Sequence, residues 1–154
     1  MVLRPANSAE DVEAVRRLIA EYASSLGESI CFTQHADEMA HLAARYPVSE
    51  GGLWLATLGG AAAGCVALRR RSETQAELKR LYVDPRARGR GIARALMRAA
   101  LGRASELGYR SVYLDTLPPM TAAQALYHDL GFRVTQESSG PEDPVEMVLE
   151  LELE

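Results

Sequence analysis

The sequence predicts one α/β (α+β) domain, residues 1–154, built on a mixed sheet. Three observations carry that expectation. A chain of 154 residues has the length of one domain and buries enough surface to fold without disulfides or metal. With 47% hydrophobic and 25% charged residues, its composition is that of an ordinary globular protein, which excludes disordered, collagenous and coiled-coil chains. Segments of helical periodicity also alternate with short apolar runs, in the order βααβββαβαββ.

Met1 to Arg4 reads as a short strand closed by Pro5. Ser8-Ala9-Glu10-Asp11 has the form of a capping box. Val12, Val15, Leu18, Ile19, Tyr22 and Leu26 then recur at helical spacing, and Gly27 ends the run. A second helix is expected from about His35 to Arg45, with Met39, Leu42 and Ala43 facing inward. Leu53–Leu58 and Gly64–Leu68 read as strands around a Gly59-Gly60 hairpin turn. Leu78–Val83 is a third strand, stopped by Asp84-Pro85. Ile92, Ala95, Leu96, Ala99 and Leu107 mark an amphipathic helix ending near Gly108. Tyr109–Leu114 is a strand, and about Thr121 to Leu130 a helix with Gly131 as its C-cap. Phe132–Thr135 and Val145–Leu153 close the sheet. The alternating glutamates 146, 150, 152 and 154 suit an edge strand with one wet face.

Apolar runs fall well short of the ~20 residues a membrane-spanning helix requires, and the first residues lack a signal-peptide core. Cys31 and Cys65 have neither metal-ligand nor redox spacing. His35, His41 and His128 likewise lack metal-ligand spacing, so a cytoplasmic protein without a metal site or membrane partner is expected. The charge is unevenly spread. From Lys79 to Arg103 there are eight basic residues and one acid, Asp84, so that segment carries +7 and the rest of the chain −11. An acidic protein with one basic island points to local docking of an anionic ligand and against a nucleic-acid surface.

The island centres on Val83-Asp84-Pro85-Arg86-Ala87-Arg88-Gly89-Arg90-Gly91-Ile92-Ala93, which runs from a strand through a glycine-containing turn into a helix. The first helical turn presents N–H groups without internal partners and the positive end of the helix dipole. It is a ready anion site, and Arg86, Arg88 and Arg90 can add charge-assisted bonds. Gly89 and Gly91 allow close approach to the backbone and unusual dihedrals. A diphosphate is the natural guest. Arg90-Gly91 replaces the Lys-Ser/Thr of a P-loop. Arg94 stands where the dinucleotide fingerprint needs its third glycine or alanine. Arg86-x-x-Gly89-x-Gly91, by contrast, resembles the Gln/Arg-x-x-Gly-x-Gly/Ala acetyl-CoA loop of the GNAT N-acetyltransferase superfamily. Ala123-x-x-Leu126-Tyr127-x-x-x-Gly131-Phe132 resembles a later motif of the same superfamily, and Tyr113-Leu114-Asp115-Thr116 its connecting strand. The resemblance covers Ala76 to about Phe132. Met120 departs from it, standing where many members have asparagine.

The resemblance implies a mixed, mostly antiparallel sheet of about six or seven strands flanked by about four helices. It implies that Leu78–Val83 splays from Tyr109–Leu114 and that the pantetheine arm of acetyl-CoA enters the gap. Leu81, Tyr82 and Val83 would line the arm, with backbone groups of Leu81 and Val83 pairing with its amides. The pyrophosphate would rest on the amides of Arg88 to Ala93, among them Gly89, Arg90, Gly91 and Ile92, with Arg86 beside them. Met120 and Ala123 would contact the arm. Tyr127 is the candidate general acid for the departing thiolate, and Glu77 the candidate base, directly or through water. Lys79 and Arg80 face opposite sides if the pleat is regular. One of them can bind a substrate carboxylate, although two surface charges is the simpler reading. Asp115 ends its strand at the mouth of the cleft, and Arg69-Arg70-Arg71 reads as a solvated turn. The implied activity is N-acetyl (acyl) transfer from acetyl-CoA, as co-substrate, to a primary amine: a small molecule, an amino acid or a protein N-terminus. The alternative is a non-catalytic CoA-binding module, a sensor or subunit. The closing strand offers an edge for homodimerisation.

Overall fold

A computed structural model describes residues 1–26, 35–116, 121–137 and 147–153. Its seven strands are β1 (Val2–Pro5), β2 (Gly52–Leu58), β3 (Ala61–Arg70), β4 (Gln75–Val83), β5 (Ser111–Thr116), β6 (Arg133–Glu137) and β7 (Met147–Glu152). The helices are α1 (Ala9–Leu26), α2 (His35–Ala40), α3 (Leu42–Arg45), α4 (Ile92–Glu106) and α5 (Thr121–Asp129). Among the described residues the strands form one mixed sheet in the order β1-β2-β3-β4-β5-β7-β6, in which only the β4–β5 pairing is parallel. Helix α1 starts as the capping box predicts, the Asp11 N–H donating to Ser8 Oγ at 3.1 Å. The Asp11 carboxylate does not reach back to complete the box. It pairs with Arg4 at 2.9 Å and ties the helix to β1.

The sheet is covered on both sides. Val15, Leu18 and Ile19 of α1, with Leu42 and Tyr46, pack on Leu53, Leu55, Cys65, Ala67 and Tyr82. On the other face Ile92, Leu96, Met97, Ala100 and Ala104 of α4 pack on Trp54, Ala56, Val66, Leu68, Ala76 and Leu78, with Tyr127 and Phe132 in the same layer. Double coverage explains why β2 is buried from Gly52 to Thr57 and reads as a continuous apolar run. Gly59 and Gly60, at φ 57° and 84°, make the two-residue turn between β2 and β3.

Several expectations change. The second helix is two, α2 and α3, separated at His41, whose Nδ1 lies 3.2 Å from the Asp37 carbonyl. Strands β3 and β4 extend beyond their apolar cores, to Arg70 and back to Gln75. The largest correction concerns β7. It lies between β5 and β6, so β6 is the edge, and the glutamate alternation reports a wet face rather than an unpaired edge. Dimerisation through β7 therefore has no free edge to use.

Candidate active site

Two features lie together at the C-terminal end of β4. The first is a split in the sheet. Gln75, Ala76 and Glu77 pair with Ser111, Val112 and Tyr113, and the parallel ladder ends there. Beyond it, among the described residues, β5 pairs only with β7, through Thr116, while β4 continues to Val83. The expected splay of these strands is present, and it opens immediately after Glu77.

The second feature is the loop that follows β4. The Asp84 carboxylate caps a 3-10 turn over Pro85–Ala87, accepting from the Arg86 N–H at 2.9 Å. It also takes the Arg86 guanidinium in a fork, Nε at 3.1 Å and a terminal nitrogen at 2.8 Å. These hydrogen bonds hold the Asp84 carboxyl at about 2. The Arg86 guanidinium, 88% exposed, thus staples the turn through Asp84 in this structure. The Arg88 side chain donates to the Val83 carbonyl at 3.2 Å, one of the groups assigned to the pantetheine arm. Among the described residues only Arg90, of the three loop arginines, leaves its guanidinium unengaged.

Gly89 and Gly91 sit at φ 80° and 78°, in the left-handed region where any side chain is strained. A Cβ at either would meet no protein atom within 4 Å, so dihedral freedom and not space calls for glycine here. Gly91 caps α4, whose first turn closes with Ala95 N–H to the Gly91 carbonyl at 3.1 Å. The Arg88 amide is spent on the Pro85 carbonyl at 3.5 Å. From Gly89 to Arg94 no backbone N–H has an acceptor among the described residues. The run of free amides is thus shifted one residue from the Arg88–Ala93 expectation. Six unpaired donors at a helix N-terminus, flanked by arginine, form an anion cradle.

Tyr127 is placed by the end of α5. The Phe132 N–H donates to the Tyr127 carbonyl and the Gly131 N–H to the His128 carbonyl, both at 3.0 Å, with Gly131 at φ 98°. This is a Schellman motif, and Phe132 packs back on Tyr127 with ring centroids 5.9 Å apart. The Leu-Tyr-x-x-x-Gly-Phe spacing is therefore a structural device that fixes the tyrosine. Its side chain is 8% exposed, in the α4 layer. Ala123, Leu81 and Val83 are half-buried on that side too. Tyr82 is not: its ring stacks on Tyr22 of α1, centroids 5.4 Å apart, so only its backbone is left for the split. His128 is exposed.

Glu77 faces the opposite layer. It is 9% exposed and accepts from Arg69 Nε at 3.0 Å, while the Arg69 guanidinium lies 5.8 Å from the Tyr46 ring centre. Glu77 and Tyr127 thus lie on opposite faces of the sheet, and the split opens between those faces. Of the arginine triplet, Arg69 and Arg70 belong to β3 rather than to a turn, while Arg70 and Arg71 are exposed as expected. Arg70 lies over Tyr109 at 5.6 Å and Arg71 over Tyr113 at 3.6 Å.

Sequence reasoning missed a buried group at the centre of this face. The pleat of β4 is not regular: Ala67 opposes Lys79 and Cys65 opposes Tyr82, so Arg80 and Leu81 bulge opposite Val66 alone. Arg80 has φ 61°, the one non-glycine with positive φ among the described residues, at a backbone cost of ~1–3 kcal/mol. Rather than lying on the surface, it pairs with Glu38 of α2 at 2.8 Å, and Glu38 accepts from the Tyr46 hydroxyl at 3.0 Å. Burial pushes the Glu38 carboxyl up, but the bonds from Arg80 and Tyr46 outweigh it and hold the group below its ordinary value. Burial and the neighbouring Glu38 charge push the Tyr46 hydroxyl up. Burial likewise raises the Cys65 thiol to about 12, which leaves it inert as a nucleophile. The bulge has no composition signal, and Glu38 is 42 residues from its partner, so only the fold could pair them. Met120 and Cys31 lie outside the described residues, as do the side chains of His35 and Asp115.

A split mixed sheet with an anion cradle at the head of the next helix has the geometry to take an extended, phosphate-bearing ligand across the sheet. Comparison with known proteins makes this specific. The model of the Acetyltransferase (GNAT) family matches residues 13–132, and the chain belongs to that family. It is an acetyltransferase. An uncharacterised N-acetyltransferase of Schizosaccharomyces pombe is 33% identical over 129 residues, 82% of this chain and 79% of that protein. An N-acetylaspartate synthetase of Danio rerio is 40% identical over 106 residues, 68% of this chain but only 37% of that protein. A putative acetyltransferase of Salmonella typhimurium, solved with its cofactor acetyl-CoA, superposes with a TM-score of 0.78 at 20% identity, covering 99% of this chain and 94% of the other.

Proposed function

We propose that residues 1–154 act as one N-acetyltransferase domain that carries acetyl from acetyl-CoA to a primary amine by direct attack. The observation that carries this reading is the position of the split: it begins at Glu77 and leads to six unpaired amides from Gly89 to Arg94. A ligand with a strand-like arm and a diphosphate suits both at once. In this reading the free edge of β4 takes the pantetheine arm, with Leu81 and Val83 as backbone partners. Arg88 releases the Val83 carbonyl as its guanidinium turns to phosphate, and Arg90 joins it. Met120 and Ala123 line the arm.

The amine nitrogen attacks the thioester carbon, the carbon–sulfur bond breaks, and CoA leaves as thiolate. Holding both reactants in the split supplies much of the rate. An ammonium cannot attack, so its proton must leave first. Glu77, on the α1–α3 face, takes it directly or through a water. Tyr127, on the α4 face, gives its proton to the thiolate, and the second proton that the attacking nitrogen sheds as the amide forms returns through solvent to the Tyr127 phenolate. Placement on opposite faces suits the two roles, because acceptor and leaving group lie on opposite sides of the carbonyl. The acceptor is an amine of small-molecule, amino-acid or protein N-terminal origin. A cytoplasmic setting suits the free thiol of Cys65. No helix among the described residues is long and apolar enough to cross a membrane.

Thermal unfolding with CoA, acetyl-CoA, NAD and ATP tests the donor. At about 100 times its dissociation constant a ligand adds about 2.7 kcal/mol, a rise of roughly 5–10 °C for a domain of this size. The expected result is a rise with CoA and acetyl-CoA alone. A rise with NAD or ATP and none with CoA would overturn the assignment of the loop. The non-catalytic alternative, a sensor or subunit, predicts binding without turnover across an amine panel. Family membership and the N-acetyltransferase relative speak for turnover.

A further inference from the structure

We infer that Glu38 is a positioning residue for acetyl transfer: its buried ion pair with Arg80 holds the left-handed bulge of β4 and so fixes the Arg80–Leu81 backbone at the split. The inference rests on the acetyl-transfer reading and adds to it a residue from outside the loop and tyrosine motifs.

The backbone at Arg80 and Leu81 is unusual for an interior strand. Neither residue has a register partner on β3, because of the bulge, or on β5, because the ladder ends at Glu77. Two residues opposite one make a bulge, so the sheet register alone does not fix the shape of this backbone. The chain holds it from one side instead. The Arg80 carbonyl accepts from the Cys65 thiol at 3.3 Å, and its guanidinium donates to Glu38 Oε2 at 2.8 Å. The second oxygen of Glu38 is spent on the Tyr46 hydroxyl at 3.0 Å, and Glu38 and Tyr46 are 4% and 2% exposed. With both oxygens committed and almost no exposure, Glu38 is not built to take a proton from an acceptor. It is built to keep a non-glycine residue in a conformation that the residue alone disfavours. A strand N–H held in this way is a preorganised donor for the thioester oxygen, effective because it does not reorganise during reaction.

The test reads the thioester itself. Isotope-edited infrared spectra of acetyl-CoA carrying ¹³C at the carbonyl, bound to the full chain, report polarisation without need of an acceptor. The wild-type protein should shift the carbonyl stretch below that of free acetyl-CoA. Glu38→Ala should return it toward the free position and lower kcat by about 10²-fold, while the Kd for CoA stays within about twofold. Adding Arg80→Gly to Glu38→Ala should restore both signals, since glycine takes positive φ unaided and removes the orphaned guanidinium. Should Glu38→Ala not fold, Glu38→Gln, which keeps the Tyr46 bond and weakens the Arg80 pair, should give an intermediate shift. A wild-type carbonyl at the free position overturns the inference. So does a variant carbonyl at the wild-type position, or a double variant that stays impaired. Failure of the wild-type protein to bind acetyl-CoA sinks the inference together with the acetyl-transfer reading. Binding and turnover with an insensitive carbonyl sink the inference alone.

Discussion

Asp84 and Arg86 are two residues apart, and their pairing changes what the basic loop can do. A carboxylate lowered from 3.8 to about 2 by its guanidinium and backbone bonds links the turn to pH. Its folded pKa lies below the unfolded one, so the stability it contributes is present above about pH 4. That contribution is lost as the pH falls from 3.8 toward 2. Acid titration of stability should therefore be less steep between pH 4 and 2 in Asp84→Asn than in the wild type, followed by urea midpoints at each pH. The proposed acid and base have their own tests. Tyr127→Phe should lower kcat by about 10²-fold or more while the CoA Kd measured by calorimetry is kept. Unchanged turnover would return Tyr127 to a packing role. Glu77→Gln keeps an oxygen for Arg69 but cannot accept a proton. A fall of about 10²-fold in kcat/KM, with the melting temperature held, separates base from ion-pair partner. Tyr127 and Glu77 were both legible from the sequence as candidates, Tyr127 from its place in a family-like motif and Glu77 as a carboxylate early on the strand where the resemblance implies a base. Their placement on opposite faces was not legible, since it depends on which layer α5 joins.

Elements show a different balance. The Schellman end of α5 was readable as a glycine after a periodic run, and the structure adds what it achieves: it locks Tyr127 against Phe132. Gly131→Ala puts a Cβ 3.2 Å from Leu151 at φ 98°, so it should cost about 1–2 kcal/mol of stability by chemical denaturation. Turnover per folded molecule should fall as well, because the tyrosine loses its anchor. The β2–β3 turn, the Ser8 cap and the start of α4 were legible for the same reason: each is a local device whose residue types are dictated by dihedrals or unpaired amides. The break between α2 and α3, and the place of β7 inside the sheet, depend on partners far along the chain. An alternating strand has the same pattern whether it has one neighbour or two.

At the scale of the whole molecule, charge separates binding from folding. A +7 island in a chain of net charge −4 should make CoA affinity fall as salt rises, because exposed charges are screened over about 10 Å at 0.1 M. The stability of the unliganded protein, which rests on two buried layers, should change little over the same range. Binding titrations and melts in parallel check this, and a salt-independent Kd would show that the amides alone hold the anion. The sequence by itself determined the fold class, the order of elements, the anion loop and the motif around Tyr127. The first three follow from periodicity, glycine positions and local hydrogen-bonding need, which act over a few residues, and the Tyr127 motif from its resemblance to the superfamily. Tertiary structure alone decided where the sheet splits and that Arg80, at positive φ, pairs with Glu38. Those outcomes turn on strand register and on buried charges finding partners across the fold, and neither is fixed until distant segments pack.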